Sequence, residues 1–222
     1  MRLDFLERIE NDELFFKHVI TGEESWIFEY DPKTKQQSSE WHMSNSPRPK
    51  KSRMSKSKIK FILFFFFESQ GFVHKEFVPH GQTINKQYYR EVLERLRKSV
   101  HRVRPETADT WMLHHDTVPC HTATLVNKFL TKKGIPMLSQ PPYSPDLSPY
   151  DLFLFSKLKF HLKGRHFGTV NNIQKVVTEQ LMALPHEDFQ HCYREREQRL
   201  RRYMASQGNY FEGDNTDLYF SC

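Results

Sequence analysis

The chain has 222 residues, enough for one domain with a substantial core. A formal net charge of +6 and an isoelectric point near 9.1 suit a polyanionic partner without identifying it. Three scattered cysteines, Cys120, Cys192 and Cys222, do not make a disulfide framework and point to a reducing compartment. The start, Met1-Arg2-Leu3-Asp4, lacks the pattern of a secretory leader, and the longest apolar run, Phe61 to Phe67, is too short to cross a bilayer. Neither a membrane partner nor a small-molecule cofactor is expected.

Leu3, Leu6, Ile9 and Leu14 recur at helical spacing, which predicts a short helix over 2–17. His18 to Tyr30 is rich in β-formers and predicts a strand, broken at Thr21-Gly22, with Glu23 inside it. Asp31-Pro32-Lys33 signals a turn, and Gln36 to Trp41 is expected to close an antiparallel pair. Residues 42–60 then change character: they hold Arg48, Lys50, Lys51, Arg53, Lys56, Lys58 and Lys60 and no acid. A solvated loop is the plain reading; an arm on DNA phosphates is the sharper one, and the composition also suits a nuclear-import signal. Ile59 to Phe67 lacks polar alternation, as in a strand covered on both faces, and Phe72 to Val78 follows as its hairpin partner. Early strands of this kind form an antiparallel meander in an α/β chain.

Ile84, Tyr88, Tyr89, Val92, Leu93, Leu96 and Val100 predict a long amphipathic helix capped by Thr83, with the tyrosine pair in the core rather than stacked on bases. A charged loop, His101 to Ala108, leads to a strand ending near Leu113, just before Asp116. His114, His115, Cys120 and His121 crowd this point, too close in sequence for a tetrahedral zinc set; His121 reads as a local hydrogen-bonding residue. A helix over Thr124–Lys133 stops at Gly134, and Ile135 to Leu138 reads as strand. A proline-rich loop to Pro149 fixes the approach to Asp151, which opens another helix. Two more helices follow, the first capped by Asn171 or Asn172 and ended by Pro185, the second over Glu187–Ala205. On the apolar face of the second lies Arg196, where a charge has to snorkel or disturb packing. The expected organisation is an N-terminal helix over 1–17, a main folded domain over 18–205 with the basic loop 42–58 inserted, and a tail over 206–222.

Asp116 and Asp151 have 34 residues between them, room for a helix, a strand and a loop that returns the chain to its start. Two-metal phosphodiester chemistry needs carboxylates from separate elements to converge on ions about 3.5–4 Å apart. Spacing alone is weak, because most aspartates are surface charges or helix caps.

The residues around them carry more. His114-His115-Asp116-Thr117-Val118-Pro119-Cys120-His121-Thr122-Ala123 and Pro141-Pro142-Tyr143-Ser144-Pro145-Asp146-Leu147-Ser148-Pro149-Tyr150-Asp151 resemble the catalytic-core signatures of mariner-family DNA transposases. The segments around Thr21-Gly22-Glu23-Glu24-Ser25-Trp26, Glu76-Phe77-Val78-Pro79-His80-Gly81 and Leu162-Lys163-Gly164-Arg165-His166-Phe167 extend the resemblance over nearly the whole chain. It implies an α/β, ribonuclease-H-like fold with a mixed five-stranded sheet, three antiparallel early strands followed by parallel ones. It implies Glu23, Asp116 and Asp151 as catalytic residues and ligands of two Mg2+ or Mn2+ ions, DNA as partner, a homodimer and a nuclear location. Arg48, Lys50, Lys51, Arg53, Lys56 and Lys58 become the DNA-contacting arm.

The departures set further expectations. The family motif has aspartate where Glu23 stands, Asn-Ala where Thr117-Val118 stands, a proline at His80 and commonly a tryptophan at Arg196. With no helix-turn-helix segment ahead of the core, recognition of transposon ends is expected to be lost. The reading is a truncated, decayed transposase catalytic domain with metal-dependent cleavage and strand transfer if active; the alternative is a non-catalytic DNA-binding or dimerisation module.

Overall fold

The structure is a computed structural model that describes residues 15–34, 37–39, 54–138 and 155–205. Among these, five strands form one mixed sheet: β1 (Val19–Phe28), β2 (Lys60–Glu68), β3 (Gly71–Phe77), β4 (Met112–His114) and β5 (Met137–Leu138). Their order is β3-β2-β1-β4-β5, with β1, β2 and β3 antiparallel and β4 and β5 parallel to β1. This is the mixed sheet expected of a ribonuclease-H-like fold. The helices are α1 (Lys86–Val103), α2 (Thr124–Lys132), α3 (Phe155–Leu162), α4 (Val170–Met182) and α5 (His186–Ala205).

Alternation along β2 explains its unbroken phenylalanine run. Phe61, Leu63, Phe65 and Phe67 point to one face, with Val19 and Ile27 of β1, and pack on Leu158, Leu162, Ile173, Val177, Phe189 and Tyr193. Phe64 and Phe66 point to the other, against Tyr89, Val92, Leu93, Leu96, Val126 and Leu130. Both faces are therefore covered by helices, and each fully buried side chain of this size contributes about 1.5–3 kcal/mol.

Several expectations change. Thr21-Gly22 does not break the first strand, which runs continuously through Val19–Phe28. Gly22 lies opposite Phe66, and a Cβ there would come within 2.1 Å of the Phe66 ring. The glycine clears space for an aromatic side chain; it is not a stop signal. Of the strand expected over 36–41, residues 37–39 form a turn closed on Thr34, and the partner of β1 is β2 instead; the rest of that segment lies outside the described residues. The first long helix is capped by Asn85, whose side chain accepts from the amides of Gln87 and Tyr88 at 3.0 Å, not by Thr83. It continues to Val103, into the stretch expected as a charged loop, and a short 3-10 turn follows over Pro105–Thr107. Thr169, rather than Asn171 or Asn172, caps α4 through the amide of Asn172, and that helix ends at Met182, ahead of Pro185. Gly134, with φ of 67°, ends α2 as expected. The helix expected over 2–17 and the tail over 206–222 fall almost wholly outside the described residues, apart from a 3-10 turn at Phe15–Lys17.

Candidate active site

β1 and β4 lie side by side in parallel, with Thr21 level with His114. β4 ends at His114, two residues before Asp116, and the carboxylate of β1 that the contacts bring toward Asp116 is Glu24, through His121. Side chains alternate along a strand, so Glu23 shares the Thr21 face and Glu24 takes the opposite one. Asp151, the third carboxylate expected here, lies outside the described residues.

Asp116 is held by His121. Its Oδ1 accepts from His121 Nδ1 at 2.5 Å, and the opposite ring nitrogen stands 3.4 Å from Glu24 Oε2, an electrostatic contact rather than a hydrogen bond. His121 is thus a buried bridge between two carboxylates. Tyr89 stacks on it with ring centroids 3.8 Å apart, and His115 lies parallel at 5.1 Å. Tyr89 is core, as expected, and its hydroxyl meets His115 Nδ1 at 2.6 Å.

The charges follow from this geometry. Burial by itself would lower the His121 pKa, but the hydrogen bond to Asp116, a further one to Cys120 and the charge of Glu24 outweigh it and push His121 up to about 9. Burial raises Asp116, yet the bond and charge of His121 bring it below the usual carboxylate value. Glu24 moves up, because burial there outweighs the attraction of His121. Burial, helped by the His121 charge, takes His115 down to about 3, so it is neutral. At neutral pH the bridge is an imidazolium bonded to an ionised Asp116.

Glu24 has no place in the sequence expectation. The signal was present: two adjacent glutamates in a strand must face opposite helix layers, so one of them had to meet the residues after β4.

Beneath the Thr21 face lies a second buried polar group. Tyr193 of α5 shares a hydrogen bond with Thr21 Oγ1 at 3.0 Å and donates to the Val19 carbonyl at 2.8 Å. One turn later stands Arg196, 4% exposed. Of the two outcomes expected for a charge on this face, snorkelling is excluded, because the side chain is enclosed. Burial lowers its pKa to about 10, opposed by Tyr193, and the guanidinium remains charged at neutral pH. His114 is held well below its usual value by burial first and by the Arg196 charge next, and neither of its ring nitrogens has a hydrogen-bond partner among the described residues.

Of the basic arm, Arg48, Lys50, Lys51 and Arg53 lie outside the described residues. Lys56 and Lys58 are exposed. Lys56 sits 3.6 Å from Asp31 and over the Phe28 ring, and the neighbouring Lys60 sits over the exposed Trp26 ring at 4.0 Å.

Carboxylate oxygens are the donors that Mg2+ and Mn2+ prefer, so Glu23 and Asp116 are chemically suited to such ions. Among the described residues, no group of three His, Cys, Asp or Glu side chains is placed to hold a metal.

The family model described as "Transposase (partial DDE domain)" matches residues 31–110. The mariner Mos1 transposase of Drosophila mauritiana is 28% identical over 201 residues, covering 89% of this chain and 57% of that protein. The human histone-lysine N-methyltransferase SETMAR is 25% identical over 174 residues, covering 76% of this chain and 25% of that one. The chain therefore spans well under two thirds of either relative. Among solved structures, the Mos1 paired-end complex with the left transposon end superposes with a TM-score of 0.85 at 27% identity, covering 95% of this chain and 61% of that chain. The Mos1 catalytic domain superposes with a TM-score of 0.76 at 26% identity, covering 95% and 92%. In sequence motifs, sheet order and these likenesses, the chain is similar to the mariner-type transposases over the span of the Mos1 catalytic domain.

Proposed function

We propose that this domain carries out divalent-metal-dependent DNA strand cleavage and strand transfer, with Glu23, Asp116 and Asp151 as the metal-holding carboxylates. The observation that supports the reading is the parallel pairing of β1 with β4, Thr21 level with His114, which sends both strands toward the same end of the sheet. Asp116 is kept ionised and oriented by His121, as a metal ligand must be. Bound Mg2+ or Mn2+ would supply activation of a nucleophilic oxygen and neutralisation of the leaving one. The chain's own contribution is to hold the carboxylates, exclude bulk water beneath them and attract the polyanion. Mos1 has been crystallised in paired-end complexes with Mg and with Mn, which supports the choice of ion.

DNA is the proposed partner. The net charge of +6 and the acid-free arm carrying Arg48, Lys50, Lys51, Arg53, Lys56 and Lys58 support phosphate contact. A homodimer and a nuclear location belong to the same proposal. The test is plasmid nicking with Mg2+ or Mn2+, set beside a salt-dependent DNA-binding titration. The parent nicks only with metal, and Asp116→Ala abolishes nicking while binding persists. An alanine variant that nicks at the parental rate removes Asp116 from the chemistry; a parent that binds DNA without metal-dependent nicking is a binding module instead.

A further inference from the structure

Asp116 lies outside regular structure: β4 ends at His114 and α2 begins at Thr124, so no strand or helix fixes where its carboxylate points. Apart from the Val118 amide of the same loop, what holds it is His121, whose Nδ1 stands 2.5 Å from Asp116 Oδ1. The placement of Asp116 therefore depends on what holds the imidazole. Tyr89, stacked at 3.8 Å, and His115, parallel at 5.1 Å, set the plane of that ring. Stacking leaves a ring free to turn within its plane, so its orientation needs contacts at the edge. Asp116 and Cys120, the side chains that His121 bonds, both belong to its own loop. The opposite edge faces Glu24. His121 Nε2 and Glu24 Oε2 stand 3.4 Å apart, both are buried, and neither has a hydrogen-bond partner among the described residues. Orphaned polar atoms are rare in a folded interior, and these two face each other. Glu24 sits on β1, the central strand of the sheet, paired with Phe64 of β2.

We propose that Glu24 is a positioning residue for the metal site: it fixes the His121 imidazole from the central strand, and His121 in turn aims the Asp116 carboxylate at the ion. The inference rests on the metal-site reading above. The sheet holds Glu24, and the imidazole carries that placement to a carboxylate on a loop. Partners one step behind a metal ligand are worth about 10–100-fold in metal affinity. The role needs a polar group at this place, not a charge. A glutamine amide can accept from Nε2–H or donate to a bare Nε2, whatever proton the ring carries; an apolar side chain can do neither.

Calorimetric titration of the full chain with Mn2+, without DNA, tests it, and circular dichroism checks each fold. Asp116→Asn marks binding at the site. Glu24→Leu keeps the bulk and loses the polar group, Glu24→Ala loses both, and Glu24→Gln keeps the contact without the charge. The two apolar variants are expected to bind Mn2+ about tenfold more weakly than the parent, with Glu24→Gln within about threefold of it. Placed on His121→Gln, Glu24→Leu is expected to cost less than about twofold further, because its path to Asp116 is already cut. Parental affinity in a folded Glu24→Leu or Glu24→Ala overturns the proposal and leaves the metal site standing. So does a Glu24→Gln as weak as Glu24→Leu, which makes the effect one of charge, and so does a full additional loss on His121→Gln. Apolar variants that do not fold also overturn it, in favour of a structural role. If Asp116→Asn binds Mn2+ as the parent does, the metal-site reading itself falls, and this inference with it.

Discussion

One methylene separates Glu23 from the aspartate of the mariner motif, and in a two-metal site a ligand's reach matters as much as its charge. Displacements of about 1 Å at a reacting centre cost roughly 100-fold in rate. Glu23→Asp is therefore expected to raise Mn2+-dependent nicking, by up to about 100-fold, with DNA affinity unchanged; an unchanged or slower rate shows that this backbone has adapted to glutamate. His121 makes a prediction that needs no DNA. Its proton is held more tightly in the folded chain, at about 9 against 6.5, so its stabilisation is complete below pH 6.5 and is lost as pH rises through 9. His114 and His115 act in the opposite sense: burial keeps both neutral, so below 6.5 the unfolded chain takes up protons that the folded one refuses. The thermal midpoint should peak near pH 6.5 and fall on both sides, with the alkaline fall absent from His121→Gln. Calorimetry across pH 5–9.5 checks this, and a flat parental profile above the peak contradicts it. Asp116 and His121 could be picked out from their motif, and strand alternation put one of Glu23 and Glu24 toward them, but the enclosed state of Arg196 could not be read, because it depends on which helix face meets a distant neighbour.

Elements were most legible where one face repeats with a fixed period. The spacing from Ile84 to Val100 implied α1, and the unbroken apolar run 61–67 implied a strand covered on both sides; both elements stand in the sheet and its helix layer. Boundaries were less legible, since caps are chosen by local geometry among several competent residues. Thr83 and Asn85 both qualify by type, and only Asn85 meets the first-turn amides. Asn85→Ala should cost about 0.5–2 kcal/mol in urea unfolding, while Thr83→Ala stays within about 0.5 kcal/mol of the parent; equal losses at the two positions would refute the assignment. Gly22 shows a different limit. Its need for a bare Cα comes from the Phe66 ring on the adjacent strand, 44 residues later in the chain, and no local rule can supply that. Read locally, the same glycine looks like a strand breaker.

At the scale of the whole molecule, the antiparallel β1–β3 meander followed by parallel β4 and β5 sets the ends of β1 and β4 beside each other, and it does so whatever the loops carry. That order could be anticipated from early strands without intervening helices and later strands separated by helices. The positive balance of the chain suits the polyanion proposed as its partner. Convergence of three acidic side chains from distant segments is the central claim, and iron-directed backbone cleavage reads it directly. Fe2+ bound in place of Mg2+ or Mn2+, with ascorbate and peroxide, generates radicals that cut the chain only where it approaches the ion. The predicted result is three clusters of cuts, around Glu23, Asp116 and Asp151, all suppressed by excess Mg2+ and by Asp116→Asn. Cuts confined to one of these segments, or scattered without regard to Asp116, would contradict the shared site.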